Sequence, residues 1–255
     1  MAEIQLASQA ERRSAQANAF GAAASIYERA RPTYPEAAVN WLLPAAARKV
    51  VDLGAGTGKL TRMIAARGVD VTAVDPSAGM LEQLRQAVPG VPALQGTAEQ
   101  LPLDDNSVDA VLVAQAWHWV DLPRASVEVA RVLKPGGMLG LIWNHRDERV
   151  DWVRELGEIA SGNGADHNSM DPSNPKFGAP FGQIEYFVTE WHVPMTPDSL
   201  VELIASRSYV IIASEEERAA KTAEIRALIE SHPQLTGRDH FDLPYLTYAS
   251  RAHVM

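Results

Sequence analysis

The residues best suited to chemistry lie together in Val51-Asp52-Leu53-Gly54-Ala55-Gly56-Thr57-Gly58 and, 21 residues after Gly54, at Asp75. Alternating glycines let a backbone turn pass close to a ligand where any Cβ would intrude. Asp75 closes the apolar run Val71-Thr72-Ala73-Val74, and an acid at a strand tip can accept from both hydroxyls of a ribose. It can also be a plain turn acid before Pro76. In their ligand-binding sense these residues describe a cradle for a nucleoside-bearing cofactor. The spacing narrows the choice. In the dinucleotide pattern Gly-x-Gly-x-x-Gly, the last glycine packs a helix whose N-terminus holds a pyrophosphate. Here Lys59 stands at that place, and the third glycine comes early, at Gly58. Asp52, inside the strand, would repel a pyrophosphate but suits a ligand that carries an ammonium group; it can equally be a helix-capping or structural acid.

At this point the chain resembles the class I S-adenosylmethionine-dependent methyltransferases, whose first motif reads much like residues 51–58. Further matches follow in that family's order: Asp75-Pro76-Ser77, Gly96-Thr97-Ala98-Glu99-Gln100-Leu101-Pro102-Leu103, Ser107-Val108-Asp109-Ala110-Val111 and Leu133-Lys134-Pro135-Gly136-Gly137. Within the class it looks most like the small-molecule branch that includes trans-aconitate and quinone-pathway methyltransferases. The resemblance implies S-adenosyl-L-methionine as cofactor, S-adenosyl-L-homocysteine as product, and methylation of a small organic molecule at oxygen, in a carboxylate or a hydroxyl. It assigns Gly54 and Gly56 to close passage of the cofactor's methionine part, Asp75 to the ribose, and Ala98 and Glu99 to the adenine. Asp52, Ala55, Thr57, Gly58, Pro76, Met80 and Gln115 complete the cofactor-binding set it implies. Glu99 can also be read as a solvated acid in a first helical turn. Two rival functions remain at this stage. A nicotinamide-dependent oxidoreductase is disfavoured by Lys59 and Asp52, and a non-catalytic binder of the same cofactor would carry the same binding residues.

On the acceptor side, Gln115-Ala116-Trp117-His118-Trp119 leaves the carboxyl end of strand four, where ligands bind in open α/β sheets. Trp117 and Trp119 read either as an apolar wall or as packing aromatics. His118 reads either as a structural histidine or as a general base for a hydroxyl acceptor. Phe20, Tyr27 and Tyr34 recur every seven residues around Arg29 and Arg31, with Pro32 breaking any continuous helix. They form either a helix packed on the sheet or, as the resemblance implies, a lid whose arginine meets a carboxylate. Arg207, next to Ser208 and Tyr209, offers a second anion contact. The histidines show no metal-ligand spacing, so no metal is expected.

Composition sets the outer limits. Lys+Arg 23 against Asp+Glu 32 gives a net charge of -9, the opposite of the basic face that nucleic-acid binding requires. The segment after strand four also lacks the Asn/Asp, paired prolines and aromatic that mark enzymes acting on exocyclic amines of bases. With no cysteine, disulfides and thiolate chemistry are ruled out. The polar, alanine-rich stretch Met1 to Asn18 is not read as a secretory signal, and no apolar run is long enough to span a bilayer. The expectation is a cytoplasmic protein, monomer or homodimer, with no nucleic-acid or membrane partner.

The elements that must position these residues follow from the same string. Strands are expected at 48–53, 69–74, 91–95, 108–114, 138–143, 184–192 and 241–249, with helices near 59–67, 77–87 and 122–133. Two more helices begin at Thr196-Pro197 and at the capping box Ser214-Glu215-Glu216-Glu217. Strands alternating with helices of these lengths mean an α/β fold. The resemblance implies a Rossmann-like seven-stranded sheet of order 3-2-1-4-5-7-6, strand seven antiparallel, with helices on both faces. The expected organisation is one methyltransferase domain over 1–255. It comprises a helical lid (1–47), a cofactor-binding core (48–145) and C-terminal strands with a substrate-side cap (146–255). The long loop 161–180, rich in Gly, Asn, Asp, Ser and Pro, reads as functional or mobile.

Overall fold

Apolar runs become the parallel strands of a sheet whose central members, buried on both faces, can only be covered by helices. The structure, a computed structural model, describes residues 31–161, 174–206, 210 and 213–255. β1 (Lys49–Leu53), β2 (Asp70–Asp75), β3 (Ala93–Gln95), β4 (Val108–Ala114) and β5 (Leu133–Arg146) run parallel. β7 (Phe241–His253) lies antiparallel between β5 and the edge strand β6 (Glu185–Met195). The sheet order is β3-β2-β1-β4-β5-β7-β6, as the resemblance implied. The helices are α1 (Glu36–Leu42), α2 (Lys59–Ala65), α3 (Ala78–Ala87), α4 (Leu122–Val132), α5 (Asp151–Ser161), α6 (Pro197–Ala205) and α7 (Glu215–Ser231). Side-chain caps start several of them. Ser77 accepts from Met80 N, Asp121 from Arg124 N, and full capping boxes open α6 at Thr196 and α7 at Ser214.

Alternation along β5 divides the interior. Leu139, Leu141 and Trp143 join Val51, Val111, Val113 and the inward face of α4 in one core. Met138 and Ile142 join Val50, Leu112, Ala249, α1 and α2 in the other. Beyond the carboxyl edge of the sheet, a third core gathers Trp152, Val153, Leu156, Leu203, Ile229, Phe241, Leu243 and Tyr245 from α5, α6, α7 and the overhanging ends of the last strands.

That third core explains part of the difference from expectation. β5 and β6 reach Arg146 and Met195, past the predicted ends, because those tips have helices to pack against, while β7 continues to His253 by pairing with β5 as far back as Met138. α5, which the sequence reading left unassigned, supplies Trp152, Val153 and Leu156 to the same core. β5 also begins earlier than expected. Val108 pairs with Leu133 and Ala110 with Met138, so the Pro135-Gly136-Gly137 turn is an irregularity within the strand. Of the helical stretch expected over 1–47, the described part holds α1; Phe20, Tyr27 and Arg29 lie outside the described residues.

Candidate active site

The glycine turn is stitched to the end of β2. Gly54 N and Ala55 N donate to Val74 O at 2.8 and 3.1 Å, and Gly56 N donates to Asp75 Oδ2 at 2.9 Å. Asp75 Oδ1 accepts from Ser77 N at 2.8 Å. Both carboxylate oxygens are thereby oriented, each with a further lone pair available to a ligand. Burial pushes the Asp75 carboxyl up, against the pull of the Ser77 and Gly56 amides. Two glycines in the turn serve different ends. A Cβ on Gly54 would come within 2.6 Å of Ala116 Cβ, whereas a Cβ on Gly56, at φ +54°, would meet nothing within 4 Å. Gly54 therefore lets the post-β4 segment pack on the turn, and Gly56 borders open space.

Asp52 lies beneath this turn, wholly buried in β1. Its Oδ2 accepts from Thr61 Oγ1 of α2 at 2.6 Å, while Oδ1 has no hydrogen-bond partner. Burial first, and the nearby Asp75 charge, push its carboxyl up to about 7, opposed by the Thr61 hydroxyl. A buried carboxylate oxygen without a donor is costly unless a ligand completes it. Thr61 could not be assigned from sequence, because a polar residue inside a helix carries no mark of the strand it faces.

The profile of the family described as "Methyltransferase domain" matches residues 51–141. An uncharacterized methyltransferase of Mycobacterium tuberculosis is 54% identical over 235 residues, covering 91% of this chain and 94% of that protein. The chain belongs to the class I S-adenosylmethionine-dependent methyltransferases. It is therefore an enzyme whose cofactor is S-adenosylmethionine, and the nicotinamide alternative is set aside. A malonyl-[acyl-carrier protein] O-methyltransferase of Pectobacterium atrosepticum is 38% identical over 127 residues, 48% of this chain and 50% of that protein. The fold is shared with the solved structure of a putative type II methyltransferase from Anaeromyxobacter dehalogenans. Its TM-score is 0.60 at 23% identity, covering 88% of this chain and 97% of that one.

The residues present fit the methyltransferase cofactor. The open space beside Gly56, the partnerless Oδ1 of Asp52 and the pre-oriented Asp75 match in turn a ligand's chain, its ammonium and its ribose. Ala55 and Thr57 are buried in the turn, Met80 is buried in the first turn of α3, and Pro76 is exposed with its carbonyl accepting from Gln95 Nε2 at 3.0 Å. Ala98 is buried. Glu99 does not open a helix; its Oε1 accepts from Asp121 N at 2.7 Å, joining the post-β3 loop to the start of α4.

Past β4, Gln115 adopts φ +59°, a left-handed conformation rare for a residue with a side chain and of the kind that clusters at functional sites. Its N donates to Ile142 O at 3.0 Å and its Nε2 to Asn144 O at 3.1 Å. Trp117 is in the core, its Nε1 donating to Lys176 O at 2.8 Å. His118 is half-buried with its ring 4.7 Å from that of Trp119, which is 36% exposed. The two tryptophans thus part company, one packed and one at the surface. Tyr34 is buried against α1 and β5. Arg31 Nε donates to Ser206 Oγ at 3.0 Å, just past the end of α6. Tyr27 and Arg207 lie outside the described residues.

One residue missed in sequence ties these parts together. Asn144, at the carboxyl tip of β5, accepts through Oδ1 from Thr247 Oγ1 at 2.6 Å and donates through Nδ2 to Thr33 O at 2.8 Å. Trp191 Nε1 of β6 donates to the same Thr247 oxygen at 2.8 Å. The signal was available: a polar residue directly after the apolar run Met138 to Trp143 sits where a parallel strand meets its ligands.

Proposed function

We propose that this methyltransferase acts on a small organic acid and methylates a carboxylate oxygen. The observation that carries the reading is the state of the acids around the carboxyl edge. Asp52 and Asp75 belong to the cofactor cradle. Glu99 and Asp121 are engaged by backbone amides, and Asp147 is paired with Arg149 at 2.7 Å, which holds its carboxyl below the usual range. None of these acids is placed to remove a proton from an acceptor. A carboxylate needs no such step: the cofactor supplies a methyl group already activated on a sulfonium, and an ionised oxygen attacks it directly. The protein's contribution is then alignment and exclusion of water. The O-methyltransferase relative from Pectobacterium atrosepticum supports the same acceptor class.

In this reading Asp75 accepts from the ribose hydroxyls, Asp52 faces the ammonium, Gly56 lines the methionine part, and Ala98 flanks the adenine. The acceptor lies beyond Gln115, with Trp119 on one side and the Thr33-Tyr34 segment on the other. A hydroxyl acceptor is the second reading, favoured by the half-buried His118 at this edge. A screen of acids against phenols and alcohols, following release of S-adenosylhomocysteine, separates them. Turnover on acids is expected; turnover confined to hydroxyl compounds would reject the proposal.

A further inference from the structure

We propose that Thr61 is a positioning residue for the cofactor: its hydroxyl holds the buried Asp52 carboxylate so that its second oxygen faces the cofactor's ammonium from beneath the glycine turn. The inference rests on the reading above that Asp52 faces the ammonium, and it names the residue that fits this acid for the task.

Strand register leaves Asp52 short of donors. In β1 it pairs with Ala73 of β2 and with Leu112 of β4, and neither neighbour carries a side-chain donor. α2 covers this part of the sheet, with Leu60 and Ile64 in the same core as Leu112. Thr61 lies one turn before Ile64, on the side of α2 turned to the sheet, and is wholly buried. A helical threonine commonly gives its hydroxyl to a carbonyl one turn back in its own helix. Thr61 instead donates across to Asp52 Oδ2 at 2.6 Å, the short distance of a bond to a charged acceptor. Amides of the turn are engaged elsewhere. Gly54 and Ala55 donate to Val74 O, Gly56 to Asp75 Oδ2 and Gly58 to Ala55 O. Asp52 Oδ1 is thereby left without a donor, a state that a ligand's ammonium would relieve.

The hydroxyl does two things to this acid. Holding Oδ2 fixes the plane of the carboxylate, and with it the direction of Oδ1. It also favours the ionised form. Burial pushes the Asp52 carboxyl up, and the Thr61 hydroxyl is the strongest influence drawing it down. Without that bond the acid would keep its proton to higher pH and offer an ammonium no charge. A buried carboxylate acts strongly through the low dielectric of the interior. It can therefore attract a cation in the space beside Gly56, where a Cβ would meet nothing within 4 Å, without itself being open to water. Thr61 thus favours ligands that carry the amino-acid part of the cofactor over those that lack it.

The test uses the full-length protein, titrated calorimetrically with S-adenosylhomocysteine and with 5′-methylthioadenosine, which keeps adenine, ribose and sulfur but lacks the amino acid. Thr61→Val keeps the shape and removes the hydroxyl. It should weaken S-adenosylhomocysteine about tenfold or more and 5′-methylthioadenosine less than about twofold. Thr61→Ser restores a hydroxyl and should bring S-adenosylhomocysteine back to within about threefold of the parent. Asp52→Asn should weaken S-adenosylhomocysteine about 10- to 150-fold. Adding Thr61→Val to it should cost no more than about twofold, because the hydroxyl acts through the acid. Thr61→Cys, whose thiol is a weaker donor, should fall between parent and valine variant; it carries the test if the valine variant does not fold. Equal weakening of both ligands by Thr61→Val, no rescue by serine, or full additivity in the double variant assigns Thr61 a structural role and overturns the inference. The two levels fail separately. Parental S-adenosylhomocysteine affinity in Asp52→Asn rejects the Asp52 assignment and this inference with it, whereas weakened binding there with parental binding in Thr61→Val rejects only the role of Thr61.

Discussion

Asp75 is prepared before any ligand arrives, its two oxygens already set by the amides of Gly56 and Ser77. Replacing it with alanine removes both the proposed acceptor for the ribose and the tie that shapes the turn. Asp75→Ala should weaken S-adenosylmethionine binding by roughly 1.5–3 kcal/mol, read by calorimetry; parental affinity would remove the residue from the site. Gly56 calls for a more careful substitution. A valine there would be strained at φ +54° whatever the space, so loss of binding would be confounded with loss of fold. Asparagine tolerates left-handed backbone and its Cβ would meet nothing. Gly56→Asn should keep a near-parental thermal midpoint while cofactor affinity drops at least about tenfold. His118 discriminates between acceptor classes. For a carboxylate, His118→Ala should lower turnover less than about tenfold, whereas a general base would show a loss of about 10²–10⁴-fold. Spacing made the glycines and Asp75 legible in the sequence, because those residue types have few other reasons to recur so. Thr61 and Ser206 were not legible. The first depends on which helix face meets β1, and the partner of the second, Arg31, is 175 positions away.

The first four strands and the helices between them could be drawn from the sequence within a few residues, since a continuous apolar run between turn signals has few alternatives. The far ends of β5 and β6 were drawn too short for a tertiary reason. Nothing in Met195 announces that its strand tip will be covered by α5, α6 and α7. The same overhang borders the proposed acceptor side, and Asn144 is its fastening, since its amide bonds connect β5, β7 and the segment before α1, and Thr247 carries the connection on to Trp191 of the edge strand. Asn144→Asp keeps the shape but sets a carboxylate against the Thr33 carbonyl. It should cost about 1–3 kcal/mol, lowering the thermal midpoint by several degrees. Backbone amide exchange should quicken around residues 33–36 more than in β1. Uniform quickening throughout the sheet would mean that Asn144 supports the fold generally rather than fastening that segment.

The whole molecule should report its buried acids through pH. Asp52, and Asp75 in the same direction, bind a proton more tightly folded than unfolded. Their contribution to the stability of the cofactor-free protein is therefore largest below the ordinary Asp value of 3.8 and falls as pH rises towards about 7, where Asp52 loses its proton in the fold. Denaturant titrations across this window should show the parent losing stability relative to Asp52→Asn as pH rises; a pH-independent difference between the two would remove Asp52 from the account. A cofactor ammonium facing Asp52 favours the ionised carboxylate. Binding of S-adenosylmethionine near pH 6 should consequently release a proton, seen as a buffer-dependent heat in calorimetry. Family membership and cofactor are common to many acceptors, so the decisive question concerns the bond that is made. An enzyme that methylates carboxylates leaves an ester, and esters surrender the methyl group as methanol in alkali, whereas ethers and methylamines do not. The direct measurement is to let the protein transfer a labelled methyl from S-adenosylmethionine to a small organic acid and then make the quenched reaction alkaline. Volatile labelled methanol in proportion to turnover is the expected result. Transferred label that stays with the acceptor through alkali would contradict it.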